Sequence, residues 1–372
     1  MFVHDGNNAA ETLVGGLQEL HDRIREMGPL QGISRIAVAI YDQKTDLLRT
    51  FIHSSGGQSP LNNYVARLSD VPSLAEIAHT GQPRVVDDLQ FYGDKTTHSR
   101  KVTEGGYKSS YTLPLLQNGL LTGFLFFNSS EPAFFTSSIL HLLWPYAQIA
   151  GFIARVELDR IHVIQAAVNT VCQISRQRDE ETGAHLERMS RYTRLIAEDL
   201  AGSWELSDEY IEFLFQFAPL HDVGKVAIPD NILLKPARLT EDEFSVMKTH
   251  VIKGANIIDI MMNDFGLNRV PHIAILANVV AYHHEAWDGS GYPYGLSGAD
   301  IPKEARITAV ADVFDALTSA RPYKSAWSNE EAIKMLQEQR GKKFDPECVD
   351  ALIRRSAEIE AIQAQFAETL FD

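Results

Sequence analysis

The spacing of apolar residues at the start of the chain predicts a helix. Over residues 1–30 the apolar positions recur at three- and four-residue steps, as they do on one face of an amphipathic helix. The residues that carry this pattern are Leu13, Leu17, Leu20 and Ile24. Gly28-Pro29 then interrupts it, and such a pair commonly ends a helix. We therefore predict an N-terminal helix within residues 1–30.

The next segment is dominated by β-branched and aromatic runs, which predict strands. Runs of this kind, bounded by turn residues, cover 33–41, 47–53, 110–116 and 120–128. Asn118-Gly119 lies between the last two, and Asn-Gly is favoured in tight hairpin turns. We predict that residues 31–137 form an α/β domain with an antiparallel sheet.

A long helical pattern follows. From Ser137 to Arg178 the apolar spacing returns to the helical period, and Pro145 would either kink the helix or mark its start. We predict a helical linker at 138–178, which could also pair two copies of the chain as a homodimer. Two separate helices fit the pattern equally well, because a long periodic stretch without caps only suggests a coiled coil.

Residues 179–372 show helical rather than alternating patterns, so we predict an all-α domain there. The segment from Trp287 to Pro302 is the exception, since it contains four glycines and two prolines. Such a segment cannot form a regular element, and loops of this kind often line a functional site. The predicted fold is thus multidomain, with an α/β domain joined by a long helix to an all-α domain.

Composition narrows the class of protein. Of 372 residues, 45% are hydrophobic and 22% are charged, as in ordinary globular proteins. The net charge of −15 argues against a nucleic-acid polymer as partner, because such proteins carry a basic face. The only cysteines, Cys172 and Cys348, exclude a disulfide framework. Residues 1–11 lack a signal-peptide pattern and no run approaches ~18 uninterrupted apolar residues, so we expect a cytoplasmic protein without a membrane partner.

Histidines and carboxylates, without thiolates, provide the candidate chemistry of the C-terminal half. The candidate residues are His185, His221, Asp222, His250, His283, His284 and Asp312. Imidazole and carboxylate together suit iron, manganese, zinc or nickel. His221-Asp222 and His283-His284 each follow an apolar helical run, where polar pairs suit a metal site between helices. A lone histidine is more often an ordinary core or surface residue, so the prediction depends on these two pairs.

Further charged residues extend this hypothesis. Glu181 lies four residues before His185 on one predicted helix face, although it also fits a solvated first turn. Asp222 is placed to bridge two metal ions, which lower the pKa of bound water to about 7 and so supply hydroxide for attack on phosphorus. Lys225 could neutralise a phosphate oxygen or protonate a leaving group. Arg321 and Lys324 form a local basic pair suited to phosphate.

The order of these motifs strongly resembles that of the HD-GYP phosphodiesterases, over roughly residues 160–355. The matching segments are Glu181-Thr182-Gly183-x-His185, His221-Asp222-Val223-Gly224-Lys225, Ile228-Pro229-Asp230, His250, His283-His284-Glu285-x-Trp287-Asp288-Gly289-x-Gly291-Tyr292-Pro293, Asp312, Asp315 and Arg321-Pro322-Tyr323-Lys324. The resemblance implies an all-helical HD fold with two or three divalent metal ions, most often iron or manganese. It also implies hydrolysis of cyclic di-GMP to pGpG or GMP.

Roles of individual residues follow from the resemblance by position. The implied metal ligands are Glu181, His185, His221, Asp222, His250, His283, His284 and Asp312. Substrate contacts are implied at Lys225, Asp315, Arg321 and Lys324, with Gly291-Tyr292-Pro293 bordering the pocket. Asp222 and Lys225 are the implied catalytic pair. One departure is Ala237, where the family usually has glycine after Lys235-Pro236, and it lies outside the ligand set.

The N-terminal domain is similar, less specifically, to GAF sensory domains. The similarity rests on Ile36-Ala37-Val38-Ala39-Ile40-Tyr41, Thr80-Gly81-Gln82-Pro83 before Val85-Val86-Asp87-Asp88, and Leu113-Pro114-Leu115 before Gly123-Phe124-Leu125. A GAF domain implies regulation by a small ligand, whose identity the sequence does not give. No cysteine lies within 31–137, which excludes covalent bilin attachment.

The sequence therefore predicts a metal-dependent phosphodiesterase for cyclic di-GMP, regulated by a GAF-like domain. Two alternatives stay open. The substrate could be cyclic GMP-AMP, because no residue distinguishes the purines. The domain could also be a catalytically silent sensor that binds a nucleotide, although the intact ligand set speaks against this.

Overall fold

The β-branched runs of the N-terminal half form one six-stranded antiparallel sheet. The computed structural model describes residues 13–55, 64–92, 97–176, 183–264, 272–319 and 326–367. The strands are β1 (Ile33–Asp42), β2 (Leu47–Ser55), β3 (Val65–Arg67), β4 (Arg84–Val86), β5 (Ser109–Gln117) and β6 (Leu120–Ser129). Their order across the sheet is β3-β2-β1-β6-β5-β4. All four predicted strands are confirmed.

The predicted hairpin joins β5 to β6. Asn118 and Gly119 have φ of 51° and 81°, and a two-residue turn with both values positive matches the twist of the flanking strands. The hairpin sets the register of the two strands, so that Leu113 lies opposite Leu125 and Ser110 opposite Asn128.

Three helices accompany the sheet. They are α1 (Leu13–Glu26), α2 (Pro72–Thr80) and α3 (Thr97–Glu104). Helix α1, predicted from the apolar spacing, lies against β1 and β2, where both ring nitrogens of His21 hydrogen-bond to the sheet. From α2, Leu74 and Ile77 pack with Leu48 and Phe124 in a separate apolar core.

A single helix, α4 (Ser137–Arg176), follows the sheet. The alternative of two separate helices does not occur, and Pro145 lies inside α4 rather than at its start. The part of α4 from Ser137 to Val156 is long and apolar enough to cross a membrane by length and composition alone, a test that packing helices of soluble proteins also meet. The chain divides into one compact unit of residues 1–160 with 207–209 and another of residues 161–206 with 210–372.

The second unit is helical, as predicted. Its helices are α5 (Gly183–Trp204), α6 (Asp208–Phe217), α7 (Asp230–Leu233), α8 (Glu241–Lys248), α9 (His250–Asp264), α10 (Ile273–Tyr282), α11 (Lys303–Thr318), α12 (Asn329–Glu338), α13 (Pro346–Arg354) and α14 (Ser356–Gln365). Helix α5 packs against α11, where the rings of Tyr192 and Phe314 meet edge to face at 5.2 Å. Between α10 and α11 the predicted irregular segment contains only a short 3-10 helix, Gly298–Asp300.

Two glycines bring the 3-10 helix Val223–Ala227 close to α9. A Cβ atom on Gly224 would lie 1.9 Å from the carbonyl oxygen of His250 and 2.4 Å from the nitrogen of Gly254. A Cβ on Gly254 would lie 2.7 Å from a methyl group of Val280 on α10. These contacts need residues without side chains, and they hold His250 beside the segment that carries Asp222.

Substituting Gly224→Ala should destabilise the second unit, because the added methyl group overlaps backbone that cannot rotate away. We expect a loss of about 1–3 kcal/mol, seen as a lower Tm in thermal denaturation. Gly202→Ala is the matched control, since its Cβ meets no atom within 4 Å on an exposed face of α5. That control should be neutral or gain up to about 1 kcal/mol. A Gly224→Ala protein as stable as the parent would contradict the packing described.

Candidate metal centre

Histidine and aspartate side chains from five parts of the second unit meet in one place, which we call the histidine–aspartate cluster. Its members are His185 on α5, His221 and Asp222 after α6, His250 at the start of α9, His283 and His284 after α10, and Asp312 on α11. These are all of the predicted ligands within the described residues. Glu181, the remaining one, lies outside them.

Asp222 lies at the centre of the cluster. Its Oδ1 atom is 3.1 Å from Nε2 of His250 and 3.7 Å from Nε2 of His283. Its Oδ2 atom is 3.2 Å from Nε2 of His221. Each carboxylate oxygen therefore faces a different set of imidazoles.

The two sets are distinct. Ligand atoms of Asp222, His250, His283 and His284 lie within 4.8 Å of one another. On the other side, Oδ1 of Asp312 lies 3.8 Å from Nε2 of His221 and 3.9 Å from Nε2 of His185. Asp222 belongs to both sets, which is the arrangement that a bridging carboxylate requires.

Backbone carbonyls fix the tautomers of three histidines. Nδ1 of His221 lies 2.9 Å from the carbonyl oxygen of Ala218, and Nδ1 of His283 lies 2.9 Å from that of Val279. Nδ1 of His250 contacts the carbonyl of Met247 at 2.8 Å. A carbonyl only accepts, so Nδ1 carries the proton and the lone pair on Nε2 faces the cluster.

This arrangement fits a metal ion. Nε2 of His250, Nε2 of His283 and Oδ1 of Asp222 are buried and have no hydrogen-bond partner among the described residues. Three hydrogen-bond acceptors whose lone pairs face one another in a buried space are unfavourable unless a cation lies between them. Nitrogen and oxygen donors without sulfur suit the borderline divalent metals.

Charge in the cluster also favours ligation. Burial alone would raise the pKa of Asp222, but the ammonium group of Lys225, whose Nζ is 2.8 Å from Oδ2, holds that pKa well below its usual range. Burial lowers the pKa of His283 and of His284. At neutral pH the cluster thus offers an ionised carboxylate beside two neutral imidazoles, the forms that bind metals.

Asp315 differs from its expected role as a substrate contact. Its side chain is fully enclosed, and its Oδ2 lies 2.7 Å from Nδ1 of His185. Arg188 donates to both oxygens, at 2.7 and 3.1 Å, and Ser319 donates to Oδ2 at 2.9 Å. Asp315 therefore orients His185 from behind, and a direct contact with substrate does not fit this geometry.

Sequence reasoning missed Arg188. The only available signal was its position three residues after His185, which places both on one face of α5. Burial would raise the pKa of Asp315, but hydrogen bonds from His185 and Arg188 lower it below the usual value. Asp315 stays a carboxylate that can only accept, so His185 must keep its proton on Nδ1.

The glycine-rich loop borders the cluster. The ring of Tyr292 lies 4.8 Å from that of His284, and the Tyr292 backbone nitrogen donates to the His284 carbonyl at 3.1 Å. A Cβ on Gly291 would lie 2.2 Å from the nitrogen of Ala286, so this position has room only for glycine. Pro293 follows across a cis peptide bond. Arg321 and Lys324 lie outside the described residues.

Glu285, for which sequence reasoning predicted no role, organises this loop. Its side chain is buried, and its two oxygens accept from the backbone nitrogens of Tyr294 and Leu296 at 2.8 and 3.0 Å. Glu285 directly follows the two histidines, yet its carboxylate is used by the loop.

Comparison with known proteins agrees with this architecture. A model of the HD domain matches residues 179–348, and a model of the GAF domain matches residues 11–154. The chain is 52% identical over 190 residues to the cyclic di-GMP phosphodiesterase response regulator RpfG of Xanthomonas campestris pv. campestris, covering 51% of this chain and 47% of that protein. It is 44% identical over 206 residues to a cyclic di-GMP phosphodiesterase of Vibrio cholerae, covering 54% of this chain and 42% of the relative.

A further relative carries a different substrate in its name. The 3′3′-cGAMP-specific phosphodiesterase 2 of Vibrio cholerae is 42% identical over 193 residues, which cover 51% of this chain and 34% of that protein. The chain thus spans less than half of the length of each of these three curated relatives.

Substituting Asp315→Asn should weaken metal binding. The amide can donate to Nδ1 of His185, which moves the histidine proton to Nε2 and removes a ligand lone pair. We expect metal affinity to fall by about 10–100-fold, measured by calorimetric titration with Mn²⁺.

Asp345→Asn is the control for this substitution. Asp345 is also buried and paired with an arginine, Arg306 at 2.6 Å, and its other oxygen accepts from the backbone nitrogen of Glu347, which lies outside the cluster. This variant should lose stability and keep its metal affinity. Unchanged Mn²⁺ affinity in Asp315→Asn would show that Asp315 does not orient a ligand.

Proposed function

We propose that this chain, which joins a GAF domain to an HD domain, is a metal-dependent phosphodiesterase that hydrolyses cyclic di-GMP to pGpG, GMP or both. The observation that carries the proposal is Asp222, whose two oxygens face separate imidazole sets. The names of the relatives support the substrate. Cys348, a buried free thiol, suits the reducing cytoplasm that we propose as its location.

We further propose that the cluster holds two divalent ions, iron or manganese, with a third possible at Glu181. When bound, such ions lower the pKa of a coordinated water to about 7 and neutralise charge on phosphoryl oxygens. Asp222 would be shared between the two ions. One ion would be held by His250, His283 and His284, and the other by His185, His221 and Asp312.

Lys225 is the proposed proton donor and phosphate contact. Its ammonium group lies 2.8 Å from Asp222, and its side chain is 20% exposed. It therefore reaches from the cluster to a surface that a substrate can enter. There it can balance a phosphate oxygen or protonate the leaving oxygen of the ribose. Arg321 and Lys324 remain proposed phosphate contacts. The ring of Tyr292 is proposed to pack against a nucleobase of the substrate.

Whether the substrate carries two guanines or one guanine and one adenine is a separate question, because one relative is named for 3′3′-cGAMP. Its identity to this chain, 42%, is close to the 44% of a relative named for cyclic di-GMP. We propose cyclic di-GMP as the preferred substrate. Turnover of the two dinucleotides by the same protein preparation distinguishes them directly.

We also propose that α4 pairs two copies of the chain. Leu142 and Ile149 are seven residues apart, as are Pro145 and Phe152. Leu142, Ile149 and Phe152 are 40%, 47% and 61% exposed. Apolar residues alternating at steps of three and four form the seam of a coiled coil. A monomer would leave this seam in water.

Substituting Asp222→Ala should abolish both metal content and hydrolysis, because the two proposed metal ions lose the carboxylate that they share. Elemental analysis of anaerobically purified protein and chromatography of products from cyclic di-GMP and 3′3′-cGAMP measure the two effects. His79→Ala, an exposed histidine on α2, should change neither. Parent protein that is full of metal and hydrolyses neither dinucleotide would instead favour a silent sensor.

Substituting Ile149→Glu together with Phe152→Glu should convert a dimer into a monomer. Light scattering after size-exclusion chromatography reports the mass directly. Leu120→Glu is the control, since Leu120 is 63% exposed at the hairpin and lies off the seam. A monomeric parent protein, or one that sediments with lipid vesicles through α4, would contradict the pairing.

A further inference from the structure

Arg35, on β1, is buried and forms no ion pair with a carboxylate among the described residues. The residue is 3% exposed, and its Nη1 donates to Oδ1 of Asn128 at 3.2 Å. Its Nε is buried and has no hydrogen-bond partner in the part of the chain that the structure describes. Asp208 acts on the guanidinium only beyond ion-pair distance, and it raises the pKa of Arg35 by less than burial lowers it. Arginine is almost never buried in this state unless something else supplies the negative charge.

Neighbouring strands fix the direction of this guanidinium. Arg35 lies opposite Asn128 in the β1–β6 pair, and Asn128 lies opposite Ser110 in the β6–β5 pair. The Asn128 amide donates to the Ser110 hydroxyl at 3.1 Å, which leaves its oxygen for Arg35. These residues form one row across a single face of the sheet. Burial lowers the pKa of Arg35 to about 10, so the group remains charged at neutral pH.

This row lines a cavity of about 90 Å³ between the sheet and α2. The other charged side chains that line it are Arg49 and Arg84, of which Arg84 is paired with Glu76 at 3.5 Å. None of the lining residues within the described ranges is Asp or Glu. Most of the remaining wall is apolar and includes Leu74 and Ile77 of α2. A positively charged, mostly apolar cavity in a chain of net charge −15 is suited to a small anion with an apolar part.

We propose that this cavity binds a small organic carboxylate. Its carboxylate would accept from Nε of Arg35, and its carbon chain would lie against Leu74 and Ile77. Arginine matches the geometry of a carboxylate. The size sets a limit, because an apolar cavity of about 150 Å³ accommodates benzene. The ligand therefore has only a few carbon atoms. This proposal does not depend on the proposed hydrolysis, because the site belongs to the first unit.

Calorimetric titration of the full chain with butyrate tests the proposal, with butyramide as the uncharged analogue and inorganic phosphate as the anion without a carbon chain. We expect saturable binding of butyrate and at least a tenfold weaker response to the other two. Equal binding of butyrate and butyramide, binding of phosphate alone, or no binding of butyrate would each overturn it.

Arg35→Gln separates a binding role from a structural one. Glutamine can still donate to Asn128 but carries no charge, so butyrate binding should be lost. Tm without butyrate should stay the same or rise, because an unpaired buried charge is removed. Arg67→Gln removes an exposed charge on β3 and should keep butyrate binding. A lower Tm for Arg35→Gln with butyrate binding intact would show that Arg35 is only structural.

A second variant leaves Arg35 in place. Ala37, two residues along β1, lines the same cavity. Ala37→Leu should fill the space and abolish butyrate binding, while Arg35 and its bond to Asn128 remain. Undiminished binding in this variant would place the ligand elsewhere and overturn the proposal.

Discussion

The second unit is arranged around one unfavourable contact, the approach of a buried carboxylate to several imidazole lone pairs. Oδ1 of Asp222 lies 3.1 Å from Nε2 of His250, and both atoms are acceptors once Nδ1 of that histidine donates to a carbonyl. Without a cation this contact would push α9 away from the segment after α6. The glycine contact between Gly224 and α9 resists that movement, because no side chain separates the two backbones. The close packing at Gly224 therefore holds the ligand atoms at the separation that a metal ion requires.

The sequence predicted the parts of this arrangement that depend on local pattern. The strands, the Asn118-Gly119 hairpin and the apolar run of α10 follow from periodicity and turn chemistry, which act over a few residues. The ends of apolar helices located His221-Asp222 and His283-His284, because polar pairs there need a partner. His185, His250 and Asp312 had no such local signal, so their assignment as ligands required the resemblance. The convergence of all seven ligands in space required the structure.

What the sequence could not give was the layer behind the ligands. Arg188 and Asp315 are separated by 127 positions, and nothing in either segment indicates that they meet. Asp315 is one helical turn from Asp312 on α11, so sequence spacing alone could not distinguish a ligand from the residue that orients another ligand. Burial makes the distinction: Asp312 is 20% exposed, whereas Asp315 is completely enclosed.

Two buried arginines, Arg188 and Arg35, differ in whether the fold supplies a counter-charge. Arg188 is surrounded by acceptors, since Asp315, Ser319 and the carbonyl of Phe366 take its donors, and its charge is neutralised where it lies. Arg35 is equally buried but has one neutral acceptor, Asn128. Burial of a charge is tolerable when its counter-charge is part of the fold, and otherwise it costs stability. The first arginine therefore completes a structure, whereas the second leaves a requirement for negative charge that a ligand can meet.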